Sequence, residues 1–566
     1  MIFAEVPVAQ AEGAILAHSV RHEQGTFKKG RLLTAADVAL LRESGIERVF
    51  AARLEPDDVH EDEAAGRLAR AMAGSEVSLS EAFTGRANLY AASPGLARLD
   101  VERIRRINHL HESLTIATVA DYSQAEARQM LATVKIIPFA APRAVVEAAL
   151  TIAAEGEPLV QLAPFKAHEA GLIVTTLAQT KPSIIDKSIA AIAERLGALG
   201  SRLKAAEVVP HEIEAVAAAV KRLEAAGASP ILLFGASAIV DRGDIIPTGL
   251  TVAGGHVTHL GMPVDPGNLM MLGELGEIPV LGVPSCARSP KLNGFDWVLQ
   301  RVLAGMRVTA GDIMDMGAGG LLTEIPSRPQ PRDRAAGRQT AGEKTGEGQS
   351  SREQGRAAAV PKAPRIACLI LAAGRSTRMG PENKLLMPLE GKPMVRHVAE
   401  AALASQAAAV LVVTGHDGDA VRKVLAGLDL RFIDNPDYRL GLSTSLKAGL
   451  AAIPADLDGV VICLGDMPLI TPRHIDRLIA AFNPVEGRAI CVATFAGKRG
   501  NPVLWGADFL PAMQSLAGDV GAKHLMADYA EAVCEVAMDD DAVLTDLDTP
   551  EAVAAIGGRF TARGER

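Results

Sequence analysis

The sequence has few cysteines and few aromatic residues. None of its five cysteines stands in a Cys-x-x-Cys pair, so the sequence predicts neither a disulfide framework nor a zinc site. Aromatic residues make up 3% of the chain and hydrophobic residues 48%, a balance typical of α/β domains with cores of Ala, Val and Leu. Because 566 residues exceed what one hydrophobic core can organise, we expect about three or four domains.

The sequence also lacks an excess of positive charge and any long apolar run. Its formal net charge of -9 argues against nucleic-acid binding, which requires a broad basic face. No apolar run reaches the length needed to cross a bilayer. The first ten residues, MIFAEVPVAQ, lack the basic start and apolar core of a signal peptide. We therefore expect a cytoplasmic protein with no nucleic-acid partner and no membrane partner.

The pattern along the chain predicts two globular α/β halves joined by a flexible linker. Residues 1–111 mix short apolar runs with helical patterns, and residues 112–325 alternate apparent buried strands with Ala-rich helices. Residues 326–364 lose nearly all apolar bulk and are rich in Gly, Ser, Pro, Gln and basic charge, as a solvated tether is. Residues 365–566 return to strand–helix alternation, which predicts a Rossmann-like doubly wound sheet.

Residues 366–384, IACLILAAGRSTRMGPENK, predict a buried strand followed by a phosphate-binding loop. The run Ile366 to Leu371 is continuously apolar, as a buried parallel strand should be. Small residues after it let backbone amides approach phosphates, and the cationic side chains neutralise them. The spacing fits neither a Walker A loop nor the dinucleotide pattern Gly-x-Gly-x-x-Gly. An ordinary turn with solvated arginines is the alternative interpretation.

Polar residues follow the later strands of the same half. A helix beginning near Ser443 would expose amides and hydroxyls suited to a base or a phosphate. Asp466 ends the apolar run 460–464, where a carboxylate is well placed to hold Mg²⁺, although Gly-Asp alone is more often a turn. Asp546 and Asp548 have the i, i+2 spacing of one strand face, and Asp548 is either a second metal ligand or a helix N-cap.

Three loops of the amino-terminal half are expected to meet at the carboxyl edge of one parallel sheet, where such sheets bind ligands. They span residues 235–244, 261–268 and 280–290, each beside a short apolar run. The acidic residues of the first loop have a simpler interpretation, a solvated turn with a local ion pair around Arg242. Cys286 is either an inert packing residue or a thiolate favoured by nearby Arg288.

The carboxyl-terminal motifs resemble those of the molybdenum cofactor cytidylyltransferase family. The first loop matches its signature Leu-Ala-Ala-Gly-x-Ser-x-Arg-Met-Gly-x-x-Lys, and the later pieces follow in the same order over residues 365–555. The resemblance implies that Arg378 and Lys384 hold the triphosphate and that Asp466 binds Mg²⁺. It places Asn501 near the pterin, and Ala373 favours CTP over GTP. The implied nucleotide-binding residues are Leu371, Ala372, Ala373, Gly374, Ser376, Gly380 and Ser445.

The three amino-terminal loops resemble the molybdopterin-binding fold of molybdopterin adenylyltransferases and molybdotransferases. The chain departs from that pattern because the second loop lacks lysine and Ser-Cys-Ala-Arg replaces Gly-Asn-Pro in the third. The resemblance therefore implies binding of a pterin phosphate, through Ser237, Arg288 and backbone amides, more than adenylylation or molybdate insertion. The implied molybdopterin-binding residues are Gly235, Ser237, Asp241, Asp244, Asp265, Pro284, Ser285 and Arg288, with Asn501 from the other half.

Together these features predict a bifunctional molybdenum cofactor enzyme that transfers CMP from CTP to molybdopterin. Its expected ligands are CTP, Mg²⁺ and molybdopterin or the molybdenum cofactor, with a recipient molybdoenzyme of the hydroxylase type as a further partner. Two alternatives remain at this stage. One is a sugar- or polyol-phosphate nucleotidyltransferase, for which the phosphate loop would be the same. The other is a cofactor carrier or chaperone with a degenerate transferase half.

Overall fold

The computed structural model describes residues 1–322, 362–374, 383–515 and 525–547. Residues 1–53 form a small unit in which three antiparallel strands, in the order β1 (Ile2–Pro7), β5 (Arg48–Arg53) and β2 (Ile15–Leu16), pack beside a hairpin. Thr34 caps its helix as the sequence predicts, since its hydroxyl accepts from Asp37 and the Asp37 carboxylate accepts in return. The elements are β1 (Ile2–Pro7), β2 (Ile15–Leu16), β3 (Val20–His22), β4 (Gly25–Phe27), α1 (Ala35–Glu43) and β5 (Arg48–Arg53).

Residues 58–164 form a second unit of short sheets around its own apolar core. The elements are β6 (Asp58–His60), α2 (Glu61–Met72), β7 (Val77–Leu79), β8 (Arg86–Ala91), β9 (Gly95–Leu99), α3 (Val101–Asn108), β10 (Leu114–Thr118), β11 (Gln124–Ala125), β12 (Met130–Ile136), β13 (Ala140–Pro142), α4 (Arg143–Ala153) and β14 (Val160–Pro164). Strand β12 pairs with β8, and β14 pairs with β9. The expected boundary at residue 111 is therefore wrong, because it would cut both sheets.

Residues 169–316 build the α/β unit that the strand–helix pattern predicts. The elements are β15 (Glu169–Thr176), α5 (Pro182–Ala198), β16 (Arg202–Pro210), α6 (Ile213–Ala225), β17 (Ile231–Phe234), α7 (Ile245–Val252), β18 (His256–Leu260), β19 (Met271–Leu275), β20 (Ile278–Val283), α8 (Gly294–Leu303) and α9 (Ala310–Met314). The sheet order is β16-β15-β17-β20-β19-β18, and the first four strands are parallel. The sheet is mixed rather than all-parallel, because β19 runs antiparallel to both of its neighbours.

The carboxyl-terminal half is a second α/β unit built on a central strand with no exposed residue. The elements are β21 (Ile366–Ala372), β22 (Pro388–Leu389), β23 (Lys392–Pro393), α10 (Met394–Leu403), β24 (Ala409–Thr414), α11 (Gly418–Val424), β25 (Arg431–Asp434), α12 (Leu442–Ala451), β26 (Gly459–Leu464), α13 (Pro472–Ala481), β27 (Ile490–Phe495), β28 (Lys498–Gly506), α14 (Leu510–Gln514), α15 (Leu525–Asp528) and β29 (Val533–Ala537). Every residue of β21 is buried, because strands pair with it on both sides and apolar clusters cover both faces of the sheet.

The main sheet of this half has the order β25-β24-β21-β26-β28-β27-β29 within the described residues. The first four strands are parallel, and β28 is antiparallel to β26. This arrangement confirms the Rossmann-like fold. No helix in the described ranges is long and apolar enough to cross a membrane.

The segment between the halves lies mostly outside the described residues, which resume at Lys362. That residue forms an isolated bridge with Gln129, and the Ala363 amide donates to the Arg128 carbonyl at 2.7 Å. Residues 362 and 363, near the end of the expected linker, are therefore held against the amino-terminal half.

Candidate functional site

The carboxyl edge of the parallel strands β25, β24, β21 and β26 gathers the predicted transferase residues. Chain segments leave this edge at residues 373, 415, 435 and 465, each directly after a strand. Because parallel strands end on one side of a sheet, the loops that follow them are close in space. This edge is the candidate active site.

The predicted phosphate loop begins inside the core and emerges at Gly374. Leu371, Ala372 and Ala373 are buried, whereas Gly374 is exposed. A Cβ atom added to Gly374 would meet no described atom within 4 Å. The predicted residues Ser376, Arg378 and Gly380 lie outside the described residues.

Lys384 and Asp466 form an ion pair across the sheet edge. The Lys384 Nζ lies 2.5 Å from Asp466 Oδ2, and the two side chains are 15% and 17% exposed. The Gly465 amide donates to the Leu371 carbonyl at 3.1 Å, which fixes Asp466 beside the strand that feeds the phosphate loop. The sequence predicts both residues as functional, and the structure brings them together. Because both side chains are mostly buried, water screens their charges less than it screens those of an ordinary surface ion pair.

The chain returns to Asp466 near its carboxyl end. The Leu547 amide donates to the Asp466 carbonyl at 3.0 Å, so the residues around 547 lie beside the Asp466 turn. Asp546 follows a short 3-10 turn and belongs to no strand, which corrects the prediction that Asp546 and Asp548 share one strand face. Asp548 itself lies outside the described residues.

The donor set at this edge fits a magnesium ion bound together with a triphosphate. Mg²⁺ is usually held by one or two carboxylates and by phosphate oxygens rather than by an all-protein cage. Asp466 supplies one such carboxylate, and Lys384 already lies against it. Within the described ranges, no group of three or more His, Cys, Asp and Glu residues is arranged to hold a metal.

Ser445 lies in the first turn of α12 and is held by Asn435. The Asn435 side-chain amide donates to Ser445 Oγ at 2.9 Å and to Thr444 Oγ1 at 3.0 Å, while its oxygen accepts from the Asp437 amide at 3.0 Å. Asn435 is 4% exposed and Ser445 5% exposed. The sequence motifs give Asn435 no role, and its position directly after β25 is the signal that could have indicated one. The hydrogen bonds of the Asn435 side chain set the shape of the loop that leads into α12.

A second polar contact that the sequence did not predict joins Asn383 to the turn after β24. The Asn383 amide lies 3.4 Å from Asp417 Oδ2, and its oxygen accepts from the Leu385 amide at 3.1 Å. Asp417 has a left-handed backbone with φ of +52°, which Asp tolerates better than most residues. A Cβ atom on Gly415 would come within 2.9 Å of the Ala373 Cβ, so this turn packs directly on the start of the phosphate loop.

Asn501 reaches the same edge from an antiparallel strand. In β28, Val503 lies opposite Ile462 of β26, which places Asn501 level with the carboxyl end of β26. The neighbouring Gly500 is required by packing, because a Cβ atom there would collide with the Val543 carbonyl. Asn501 is therefore near the turn that carries Asp466.

The amino-terminal half presents its predicted loops at one edge of its own sheet. Ser237 is exposed after β17, Pro284 is buried and Ser285 exposed after β20, and Asp265 is exposed in the loop after β18. Gly235 is buried, and a Cβ atom there would lie 2.7 Å from the Ser237 carbonyl oxygen. All three loops leave the same edge, because β18 regains the direction of β20 through antiparallel β19.

The two aspartates of the first loop fold the loop itself. Asp244 Oδ2 accepts from the Val240 amide at 2.7 Å and from the Asp241 amide at 3.0 Å, and these bonds hold the pKa of Asp244 below its usual value. Asp241 Oδ1 accepts from the Gly243 amide at 2.7 Å. Arg242 instead donates to the Val257 carbonyl at 2.7 Å, so the expected local ion pair is replaced by bonds to the backbone.

Cys286 is not the activated thiolate that its neighbour suggested. Burial raises the pKa of the Cys286 thiol, and Arg288 points elsewhere. The Arg288 guanidinium donates to Ser188 Oγ at 3.0 Å and lies over the Phe234 ring, 4.4 Å from its centroid. The thiolate interpretation is therefore wrong, because local sequence proximity did not bring the cation to the sulfur.

Comparison with known proteins agrees with the transferase fold. Residues 368–533 match the family model of the MobA-like NTP transferase domain, and residues 5–53 match a domain of unknown function, DUF8806. The bifunctional protein GlmU of Halorhodospira halophila is 39% identical over 116 residues, which are 20% of this chain and 24% of that protein. GlmU of Rhizorhabdus wittichii is 36% identical over 172 residues, 30% of this chain and 36% of that protein.

Among solved structures, a nucleotidyl transferase from Methanothermobacter thermautotroptrophicus is 24% identical to this chain, with a TM-score of 0.32. The alignment covers 35% of this chain and 99% of that one. The chain spans 24% and 36% of the length of the two GlmU relatives described above. The family match, together with the sheet order and the polar edge, shows that residues 368–533 form a MobA-like NTP transferase domain.

Proposed function

We propose that the carboxyl-terminal half transfers CMP from CTP to the terminal phosphate of molybdopterin and that the amino-terminal half binds molybdopterin. The observation that carries this proposal is the Lys384–Asp466 pair at the mouth of the phosphate loop. A cation and a carboxylate placed together at this edge are what a metal-bound triphosphate needs. The preference for CTP over GTP rests on Ala373, and the choice of molybdopterin rests on the resemblance of both halves to molybdenum cofactor proteins.

The chemistry requires positioning rather than a protein nucleophile. The acceptor phosphate is already an anion, so its oxygen attacks the α-phosphorus of CTP, a new P–O bond forms, and pyrophosphate leaves. Lys384 and Arg378 would neutralise the triphosphate, and Lys384 would turn from Asp466 towards it. Mg²⁺, held by Asp466 with Asp548 as the proposed second ligand, would neutralise further phosphate charge when bound. Ser445 and the turn that Asn435 organises would face the nucleotide base, and Asn501 would face the pterin.

A second candidate function is transfer to a sugar phosphate. The relatives named GlmU, described as sugar nucleotidyltransferases, are 39% and 36% identical to this chain over 116 and 172 residues. The phosphate loop and the Lys384–Asp466 pair would serve either acceptor equally well. The acceptor therefore decides between the two candidates.

The test measures pyrophosphate release by the full chain with Mg²⁺, offering CTP, GTP and ATP separately. Each nucleotide is combined with molybdopterin or with a sugar 1-phosphate. Release with CTP and molybdopterin supports the proposal. Release with GTP keeps the mechanism and overturns the base assignment, whereas release only with the sugar phosphate supports the second candidate. No release with any pair, while molybdopterin still binds, would show a cofactor carrier instead.

A further inference from the structure

Three side chains form a hydrogen-bonded chain in the amino-terminal half that the transfer reaction does not use. Thr175 Oγ1 lies 2.8 Å from His211 Nδ1, and His211 Nε2 lies 2.8 Å from Ser237 Oγ. Thr175 belongs to β15, His211 follows β16, and Ser237 follows β17, which are neighbouring parallel strands. The sheet itself therefore brings the three residues together at its carboxyl edge.

The direction of this chain follows from the buried threonine. Thr175 is 2% exposed, and its oxygen accepts from the Ala236 amide at 2.8 Å. A buried hydroxyl must also donate its hydrogen, or it loses a hydrogen bond that water would have provided. Among the described residues, the acceptor within reach is His211 Nδ1. Nδ1 is therefore the ring nitrogen that carries no proton.

The second ring nitrogen must then be the donor. Burial lowers the pKa of His211, against the opposing charge of Asp244, so the ring is neutral near pH 7 and its single proton sits on Nε2. Nε2–H donates to Ser237 Oγ, and the hydroxyl hydrogen of exposed Ser237 is left for a ligand. A serine nucleophile needs the opposite arrangement, a bare Nε2 that removes its proton. Ser237 is thus an oriented hydrogen-bond donor.

The surroundings favour a neutral acceptor over a phosphate. Asp244 is ionised near pH 7, since its pKa is lowered, and the exposed Asp241 uses one carboxylate oxygen for the Gly243 amide. The only arginine of the loop, Arg242, is bonded to the Val257 carbonyl. Asp241 and Asp244 share this loop with Ser237 and disfavour a phosphate there, whereas the Arg288 guanidinium is directed to Ser188 and the Phe234 ring. A ligand with a carbonyl oxygen flanked by N–H groups would suit this loop, because the hydroxyl can donate to the carbonyl oxygen and a carboxylate can accept from the N–H groups.

We propose that Ser237, oriented by Thr175 and His211, donates a hydrogen bond to the lactam carbonyl of a bound pterin ring, with Asp241 accepting from the adjacent ring N–H groups. This assignment rests on the proposed binding of molybdopterin by the amino-terminal half. It gives the pterin ring, rather than its phosphate, to the loop of residues 235–244. Thr175 and His211 act through Ser237 and are positioning residues.

The first test is independent of any ligand. NMR of the histidine ring nitrogens in the full chain, with His211 identified by the signals missing from His211→Gln, should show the neutral tautomer protonated on Nε2. Thr175→Val removes the hydrogen that fixes Nδ1 and should change this signature. A ring protonated on Nδ1 in the unaltered protein would overturn the proposal.

The second test measures binding of hydroxymethylpterin, which has no phosphate, and of inorganic phosphate. Ser237→Ala and Thr175→Val should each weaken pterin binding by up to about tenfold, the effect of one hydrogen bond. His211→Gln keeps an amide donor and should lose less than His211→Leu. The matched control is His256→Gln, an exposed position of the same sheet that should bind as the unaltered protein does.

The outcomes separate this proposal from the proposed function. Pterin binding that ignores Ser237→Ala, or phosphate binding without pterin binding, overturns the ring assignment and leaves CMP transfer intact. Pterin binding that depends on Ser237, in a protein that releases no pyrophosphate from any nucleotide, supports the ring assignment and refutes CMP transfer. Binding of neither ligand, by the unaltered protein, overturns the ring assignment together with its premise.

Discussion

Replacing Asp466 with asparagine should separate catalysis from folding. The side chain keeps its shape, and its amide oxygen can still accept from Lys384 Nζ, which now lies 2.5 Å from Asp466 Oδ2. An exposed ion pair contributes about 0–1 kcal/mol, whereas breaking a fully buried one costs about 3–5 kcal/mol. Because these side chains are 15% and 17% exposed and the hydrogen bond survives, we expect a stability loss of about 1–2 kcal/mol. That corresponds to a fall in Tm of roughly 2–8 °C for a unit of this size.

Turnover should fall far more than stability. Asp466 is the described carboxylate next to the phosphate loop, and removing one preorganised electrostatic group from an active site costs about 100- to 1,000-fold in kcat. The assay is pyrophosphate release at saturating CTP and Mg²⁺, with Tm measured on the same samples. Asp508→Asn is the matched control, because Asp508 is exposed in the turn after β28, at the opposite end of that strand from Asn501. Turnover above a tenth of the unaltered rate would refute the role of Asp466.

Three further predictions follow from packing and titration. Gly449→Ala should lower Tm, because the new Cβ would lie 2.6 Å from a Leu369 methyl carbon. Such overpacking costs about 1–3 kcal/mol, which exceeds the gain in helix propensity of up to about 1 kcal/mol. An unchanged Tm would contradict this packing. Burial, with repulsion from Glu81, raises the pKa of Asp476 to about 6, against about 3.9 in the unfolded chain, so the contribution of Asp476 to stability falls as the pH rises between these values. In urea melts, Asp476→Asn should therefore be more stable than the unaltered protein above pH 6 and should lose that gain below about pH 4. Equal stability of the two proteins at both pH values would contradict the pKa shift. Burial raises the pKa of the Cys286 thiol, so iodoacetamide should modify Cys286 at neutral pH more slowly than it modifies a free thiol in solution. Mass spectrometry measures the rate, and an equal or faster rate at Cys286 would contradict its burial.

Strands and their ends were the most predictable features of the sequence. The apolar run 409–414 predicts a strand with the observed bounds, and the run 460–464 misses β26 by one residue. Buried parallel strands are continuous apolar runs, so local composition reveals them. The position of Asp466 at a strand end and the family resemblance of Lys384 together predicted that both residues belong to one site, and the structure brings them together in an ion pair.

Contacts between distant side chains were beyond local reasoning. The bond from Asn435 to Ser445 depends on how β25 meets the start of α12, and the chain from Thr175 through His211 to Ser237 depends on the order of three strands. The error at residue 111 has the same cause, because pairing between β8 and β12 is long-range information. Local periodicity indicates which face of a strand is apolar, but it does not identify the strand that pairs with it.

Direct contacts join the two halves in addition to the linker. The Lys28 Nζ donates to the Val533 carbonyl at 2.8 Å, the Gln406 side-chain amide donates to the Leu79 carbonyl at 3.1 Å, and Arg488 lies over the Phe83 ring. A tether between freely moving domains raises effective concentration according to its length. Where packed contacts already hold two domains together, those contacts set their separation and linker length matters less. The partly buried Asp476, repelled by Glu81 from the other half, lies in this contact region, so its ionisation opposes the docking that the other contacts stabilise.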